Sequence, residues 1–319
     1  MRSLKAAAIQ VRNRNGQPEK NLESAASLVR EAARHGAKFV LCPEFLAAGY
    51  LYDESIWDAA EPRGGPTETF LARMAKEHGI LIGATFLEAE GEEFFNTFSL
   101  FGPEGVLGRV RKGSLPFFEG WYFAPCEKPK VIQTDLGKIG VGICNDNNTA
   151  AFLKHMFDER PDLILMPHSA PTPRIPLLGT FFRPSYRKQL KGIASKYARA
   201  LGVPVIFANK VSEEYRTPLP LAPGLSLPFE FEGFSAICDA EGKTLAYSEG
   251  EEKALVAEIV LDSSKKHADA PATNGYWSFA PSFFPRVYGA TFTLLDRLGR
   301  RAYRQNPRRA GKARAAGGK

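Results

Sequence analysis

The chain has 319 residues, of which 44% are apolar, 24% charged and 11% aromatic. That balance excludes a collagen-like, wholly disordered or coiled-coil chain and allows one large α/β domain with a sizeable core. The formal charge of +7 points toward nucleic acid, but residues 297–319 hold nine Lys/Arg and no Asp/Glu, which leaves 33 basic against 35 acidic residues in the body. The basicity is a property of the tail. Tyr303 is its only aromatic residue and no recognition motif accompanies it, so a nucleic-acid partner is not expected.

Short runs rich in Val, Ile and Phe follow one another from the N-terminus: AAAIQV, KFVLCPE, ILIGATFLE, FFNTFSLFG, KIGVGIC, LILMPHS, PVIFANKV, FSAICDAEG and ALVAEIVL. Each has strand length. Helical patterns lie between several of them. NLESAASLVREAARHG and PTETFLARMAKEHG are amphipathic and end in Gly36 and Gly79, and YRKQLKGIASKYARALG ends in Gly202. Strands alternating with helices predict an α/β fold with helices outside the sheets. Residues 170–186 and 215–230 read as Pro-rich loops after strands, which is where α/β folds place their sites.

The four cysteines, at 42, 126, 144 and 238, form no CxxC pair, and the five histidines have no zinc-site spacing. No metal is expected. No apolar run has the roughly 18–20 residues that span a bilayer, and the N-terminal apolar run is too short for a signal peptide. The expectation is a cytoplasmic protein with reduced thiols and no membrane contact.

Three strand ends carry chemistry. Glu44 ends KFVLCPE, where partial burial suits a carboxylate to general-base work; alone it also reads as a loop or helix-cap acid. Cys144 ends KIGVGIC at a strand-to-helix turn, where backbone N–H groups favour a thiolate; alone it also reads as a buried, inert cysteine. Lys112 follows VLGRVR, and its ammonium could hold Cys144 as a thiolate and stabilise an oxyanion; alone it is one more surface lysine. Cys42 and Cys238 sit within apolar strand patterns and fit the inert role.

Taken together, AAIQV, LCPEFLAAGY with Glu44, RKGSLPFFE with Lys112, VGICND with Cys144, LILMPHSAP and IFANKV with Asn209 resemble the carbon–nitrogen hydrolase (nitrilase) superfamily over roughly residues 5–261. The resemblance implies a four-layer α-β-β-α sandwich with two mixed central sheets. It implies a Glu44–Lys112–Cys144 triad with no metal and no organic cofactor. It also implies a second glutamate after the lysine, at Glu119, and an oxyanion donor in the backbone N–H of Asn145. Small-molecule amides, N-carbamoyl compounds or nitriles are the implied substrates, with the amide or carbamoyl reading ahead of the true nitrilase.

The triplet Cys144-Asn145-Asp146 is similar to that of N-carbamoyl-D-amino acid amidohydrolases, but Asn147 and Asn148 follow where arginines would grip a substrate carboxylate. Arg174 and Arg187 are the nearest substitutes. Tyr50, His168 and Trp121 join Asn145 as substrate-binding candidates. Phe117, Phe118, Phe123, Phe181 and Phe182 could line an apolar pocket or pack as core.

The expected organisation is a hydrolase domain over 1–265, a C-terminal arm over 266–296 and a basic flexible tail over 297–319. The arm contains the aromatic-rich stretch NGYWSFAPSFFPRVYGATFTLL. It is predicted to bury Trp277, Phe279, Phe283 and Phe284 at a homo-oligomer interface, of a dimer or larger, with residues past about 305 fraying.

Overall fold

In the computed structural model, the apolar runs form fifteen strands among the described residues. The structure describes all residues except Tyr52, Phe117, 175–177, 280–284 and Lys319, and describes no side chains at 178–182, Pro223 and 285–293. In chain order the strands are β1 (Arg2–Gln10), β2 (Phe39–Leu41), β3 (Leu81–Glu90), β4 (Glu93–Gly102), β5 (Gly105–Arg111), β6 (Val131–Thr134), β7 (Gly137–Val141), β8 (Leu163–Pro167) and β9 (Thr172–Pro173). They continue as β10 (Val205–Ala208), β11 (Tyr215–Leu219), β12 (Ala222–Glu230), β13 (Gly233–Cys238), β14 (Thr244–Glu249) and β15 (Lys253–Leu261). The helices are α1 (Pro18–Arg34), α2 (Pro66–His78), α3 (Ala150–Glu159), α4 (Leu178–Leu201), α5 (Pro285–Gln305) and α6 (Arg309–Gly317).

Two six-stranded sheets share one plan. The first has the order β15-β1-β2-β3-β4-β5 and the second β14-β13-β10-β8-β7-β6. In each, three central strands run parallel and the outer pairings are antiparallel. Strand alternation assigns the faces. Ala6, Ala8, Phe39, Leu41, Phe98 and Leu100 belong to the cluster shared with the second sheet, while Ala7, Ile9, Val40 and Ile82 belong to the cluster under α1 and α2. β1 and β2 are therefore buried on both sides, which makes four layers: helices, sheet, sheet, helices. This is the predicted α-β-β-α sandwich.

Helix ends follow the local signals. Pro18 and Pro66 open α1 and α2. Gly36, Gly79 and Gly202 follow helix ends with φ of 86°, 58° and 69°, a conformation that costs glycine little.

The two Pro-rich segments are more ordered than their composition predicts. Residues 215–230 are the hairpin β11–β12, which pairs with β9 in a third, three-stranded sheet. Pro173 and Pro218 stand in the short outer strands β9 and β11, where few ladder hydrogen bonds are at stake. Residues 170–186 supply β9 and the first turns of α4, with Pro184 inside the helix.

The C-terminal segment also departs from expectation. Tyr303 is buried and its hydroxyl accepts the Phe94 N–H at 2.9 Å. The residues read as a fraying tail form α6. Ala313 is fully buried, Lys312 reaches Asp58 at 2.8 Å, Arg309 reaches Glu93 at 2.5 Å and Asn306 reaches Glu54 at 2.8 Å. Composition alone misses this because the stabilising acids lie more than 200 residues away. Exposed pairs contribute little individually, so removing residues 306–319 is expected to lower Tm by about 2–4 °C. Scanning calorimetry checks this; an unchanged Tm would mean that α6 contributes nothing.

Of the aromatic arm residues, Trp277 is buried within its own subunit and Phe279 meets Tyr197 edge-on at 5.3 Å. Phe283 and Phe284 lie outside the described residues. Among the described residues, no helix is long and apolar enough to cross a membrane.

Candidate active site

Glu44, Lys112 and Cys144 each stand within three residues of a strand's C-terminal end, after β2, β5 and β7. The sheet-on-sheet packing brings these ends together. Glu44 is fully buried. Its Oε1 accepts Lys112 Nζ at 2.8 Å and Asn96 Nδ2 at 2.7 Å, and its Oε2 accepts the Ser169 N–H at 2.7 Å. Lys112, 1% exposed, lies 2.9 Å from Glu119 Oε1 and 2.8 Å from Glu119 Oε2. The Tyr50 hydroxyl donates to Glu119 Oε1 at 2.6 Å. One buried ammonium thus joins two buried carboxylates.

Cys144 opens a tight 3-10 turn, Cys144–Asn148, with φ of +47°. A non-glycine residue in the left-handed region costs roughly 1–2 kcal/mol, so the turn must be held by its surroundings. Side chains within and around the turn hold it. Asp146 accepts the Gly113 and Ser114 N–H groups through Oδ1 at 3.1 and 2.7 Å, which ties the turn to the Lys112 loop. Asn147 Nδ2 donates to Gly142 O at 2.7 Å and Cys144 O at 3.2 Å, and meets His168 Nε2 at 2.9 Å. Gly142 is required because a Cβ there would stand 2.0 Å from Asn147 Oδ1 and 2.7 Å from the Phe152 ring. The arm closes over the same turn: Ser278 N–H donates to Asn148 O and its hydroxyl to Asn147 O, both at 2.8 Å.

Burial and charge set the protonation states. Burial opposes the Lys112 cation, but Glu119, Glu44 and Cys144 together hold its pKa above the usual lysine value. Burial, against the pull of Lys112 and with the push of Glu44, raises Glu119 to about 7. Burial and the Glu44 carboxylate push the Cys144 thiol well up, against Lys112 and the Ser169 N–H. The direction agrees with the role given to Glu44, which takes its proton from a thiol. Burial lowers His168 to about 3, helped by Lys112, so it is neutral at ordinary pH.

A family model described as carbon-nitrogen hydrolase matches residues 5–268. The chain belongs to the carbon–nitrogen hydrolase family. The hydrolase is 30% identical over 289 residues to an N-carbamoylputrescine amidase of Solanum lycopersicum, covering 86% of this chain and 90% of that protein. It is 33% identical to a nitrilase of Pyrococcus abyssi over 147 residues, 45% of this chain and only 56% of that protein. A carbon–nitrogen hydrolase from Helicobacter pylori superposes with a TM-score of 0.70 at 22% identity, covering 82% of this chain and 90% of that one. At that identity the likeness speaks to the fold, which it supports.

The structure brings Glu44, Lys112, Glu119 and Tyr50 of the hydrolase into one hydrogen-bonded cluster, with Cys144 in its electrostatic field. Asn145 lies beside it, its Nδ2 donating to Ser114 Oγ at 2.8 Å. His168 is a bracket: its carbonyl accepts the Glu44 N–H, its N–H donates to Ala208 O, and its ring meets Asn147. Trp121 packs edge-on against Phe118 at 5.5 Å and against Gly299 of α5. Its place is the seam by which α5 buttresses the Glu119–Trp121 turn. Arg174 and Arg187 are not free to grip a carboxylate, because Arg174 pairs with Glu230 and Arg187 with Glu232 and Glu249. Phe123 is core, 5.4 Å from Phe45. Phe117 and the side chains of Phe181 and Phe182 lie outside the described residues.

Sequence reasoning passed over Asn96, Asp146 and Ser169. Asn96 had a signal, since it is a polar residue inside the apolar run FFNTFSLF.

Proposed function

We propose that this hydrolase cleaves the C–N bond of a small amide or N-carbamoyl compound through a thioester on Cys144. The observation that carries the reading is the buried Glu44–Lys112–Glu119 bridge beside a strained cysteine turn. Glu44 takes the thiol proton as sulfur bonds to the carbonyl carbon. The oxyanion that forms is stabilised by Lys112 and the Asn145 N–H. Collapse breaks the C–N bond, and the proton passes to the leaving nitrogen, which departs as ammonia or an amine. Water then gives a proton to Glu44 and attacks the thioester; the second collapse frees the acid and returns the proton to sulfur. Glu119, held by Tyr50, orients the substrate and helps deliver the proton to nitrogen. The raised thiol pKa fits this order, because proton removal and attack are coupled rather than preceded by a standing thiolate.

The test is ammonia and amine release from panels of amides, ureido compounds and nitriles, with intact mass of the trapped enzyme. A thioester increment on Cys144 with amides or ureido compounds is expected. Turnover confined to nitriles would establish the second reading, a true nitrilase, which the match to the Pyrococcus protein favours. We also infer a homodimer built through the arm at 266–296; light scattering that reports an active monomer at micromolar concentration would overturn it.

A further inference from the structure

The run IFANKV supplies two residues that the mechanism above leaves unused, Asn209 and Lys210, directly after β10. Lys210 is 1% exposed. Its Nζ donates to Phe45 O at 2.7 Å and to Asn13 Oδ1 at 3.0 Å, a carbonyl and an amide oxygen rather than a carboxylate. Burying a lysine against neutral oxygens is costly, because its hydration is lost for partners that carry no charge. A residue placed at that cost is a candidate for a task other than packing. Burial lowers its pKa to about 7, against the Glu44 charge. The neutral amine still has two N–H groups, one for each oxygen, so both hydrogen bonds persist in either state.

Lys210 holds the segment that carries part of the reaction centre. Phe45 follows Glu44 and has φ of +48°, the left-handed region, where a bulky side chain needs support from outside. Thr85 Oγ1 accepts the Phe45 N–H at 2.7 Å and Lys210 donates to its carbonyl, so the strained residue is fixed on both sides. A second branch reaches Tyr50. Asn13 Nδ2 donates to Asn15 Oδ1 at 2.7 Å, and that oxygen accepts the Tyr50 N–H at 2.8 Å. The Tyr50 hydroxyl in turn donates to Glu119. Lys210 therefore grips residues 44–50 at both ends, beside Glu44 directly and at Tyr50 through Asn13 and Asn15. The grip is anchored in both large sheets. The Val211 N–H donates to Val11 O at 3.1 Å and the Asn13 N–H to Val211 O at 2.7 Å, which ties the chain after β1 to the chain after β10. Asn209 works from the other side. Its Oδ1 accepts the Ala170 N–H at 3.0 Å, next to Ser169, whose N–H and hydroxyl both donate to Glu44.

We infer that Lys210 is a positioning residue: through Phe45 O, and through Asn13 and Asn15, it sets the places of Glu44 and Tyr50, and so of the general base and of the hydroxyl that holds Glu119. The inference rests on the reading of Glu44 as that base. Misplacing a reacting group by about 1 Å can cost roughly 10²-fold in rate, so a clamp on its backbone is felt in the chemical steps.

The test is Lys210→Met in the full chain, which keeps the length of the side chain and removes the donor. Amide hydrogen exchange read by mass spectrometry follows the clamp without any substrate. Exchange is expected to quicken in peptides covering 44–50 and to stay as in the wild type in α1 and α2. The kcat per titrated active site is expected to fall at least about tenfold, with KM within about threefold, since the base acts after binding. A packing role alone would lower Tm or yield and leave kcat per active site unchanged. Asn13→Ala opens only the Tyr50 branch. Faster exchange at Tyr50 with a smaller fall in kcat is expected, and this variant carries the test if Lys210→Met does not fold. In the double variant the loss is expected to equal that of Lys210→Met alone, because both residues act through one chain of hydrogen bonds. Glu44→Gln is measured alongside; a wild-type rate there would overturn the reading of the base rather than the clamp. Wild-type exchange over 44–50 in Lys210→Met, an unchanged kcat per active site, or losses that multiply in the double variant would overturn the inference.

Discussion

Cys144→Ala is expected to abolish hydrolysis, with less than about 1% of the wild-type rate remaining. Without the sulfur no thioester can form, and the other cysteines cannot substitute. Cys42 and Cys238 are 0% and 1% exposed, and Cys126 lies in a loop, its N–H bonded to Lys112 O, outside the strained Cys144 turn. Cys144→Ser should be nearly as inactive, because Glu44 would have to deprotonate a far weaker acid in the same dry site. Residual turnover above that level in a contamination-free preparation would remove Cys144 from the mechanism. Alkylation gives an independent reading: iodoacetamide is expected to modify Cys144 ahead of Cys42 and Cys238, since Cys144, at 7% exposure, is the least buried of the three. The raised thiol pKa predicts slow labelling that accelerates with pH.

Glu119→Gln should lower kcat by about 10²–10³ while leaving the fold intact. The amide keeps an oxygen for the Tyr50 hydroxyl and for Lys112 Nζ, so the geometry is preserved. What disappears is the titratable carboxylate. Burial raises Glu119 to about 7, so in the free enzyme its protonated fraction falls as pH rises through that value. If it helps deliver a proton to nitrogen, kcat/KM has a descending limb near pH 7 that is absent in the variant. Tm is expected to hold or rise, because a buried carboxylate beside Glu44 is replaced by a neutral group. Near wild-type kcat with an unchanged pH profile would make Glu119 a structural partner of Lys112 and Tyr50.

Much of the site is legible one residue at a time. Glu44, Lys112 and Cys144 each close an apolar run of strand length, and a chemically capable side chain at a strand end is visible without coordinates. Their supports are less visible. Asp146 holds the Lys112 loop across 33 residues, Asn96 reaches Glu44 across 52, and Ser169 reaches it across 125. Separations of that size carry no periodic signal. Trp121 is hard to place from sequence, because an aromatic residue near the lysine suits a pocket and a helix seam equally well. Only the approach of Gly299 decides between them.

The sequence by itself determined the alternation of strands and helices and their glycine and proline boundaries. These follow from interactions within a few residues and from the two periods, 2 and 3.6, that set which faces are apolar. The tertiary structure decided three other things. It pushed the Cys144 thiol pKa up, because desolvation and the Glu44 charge act only once the sheets close around it. It converted a Pro-rich segment into the β11–β12 hairpin of a third sheet, because β9 and β12 pair only after α4 turns the chain back. It ordered the basic tail, whose cations find Asp58, Glu92 and Glu93 on the far side of the sequence. In each case the deciding energy is electrostatic or a hydrogen bond between distant residues, and it does not exist until the chain has folded.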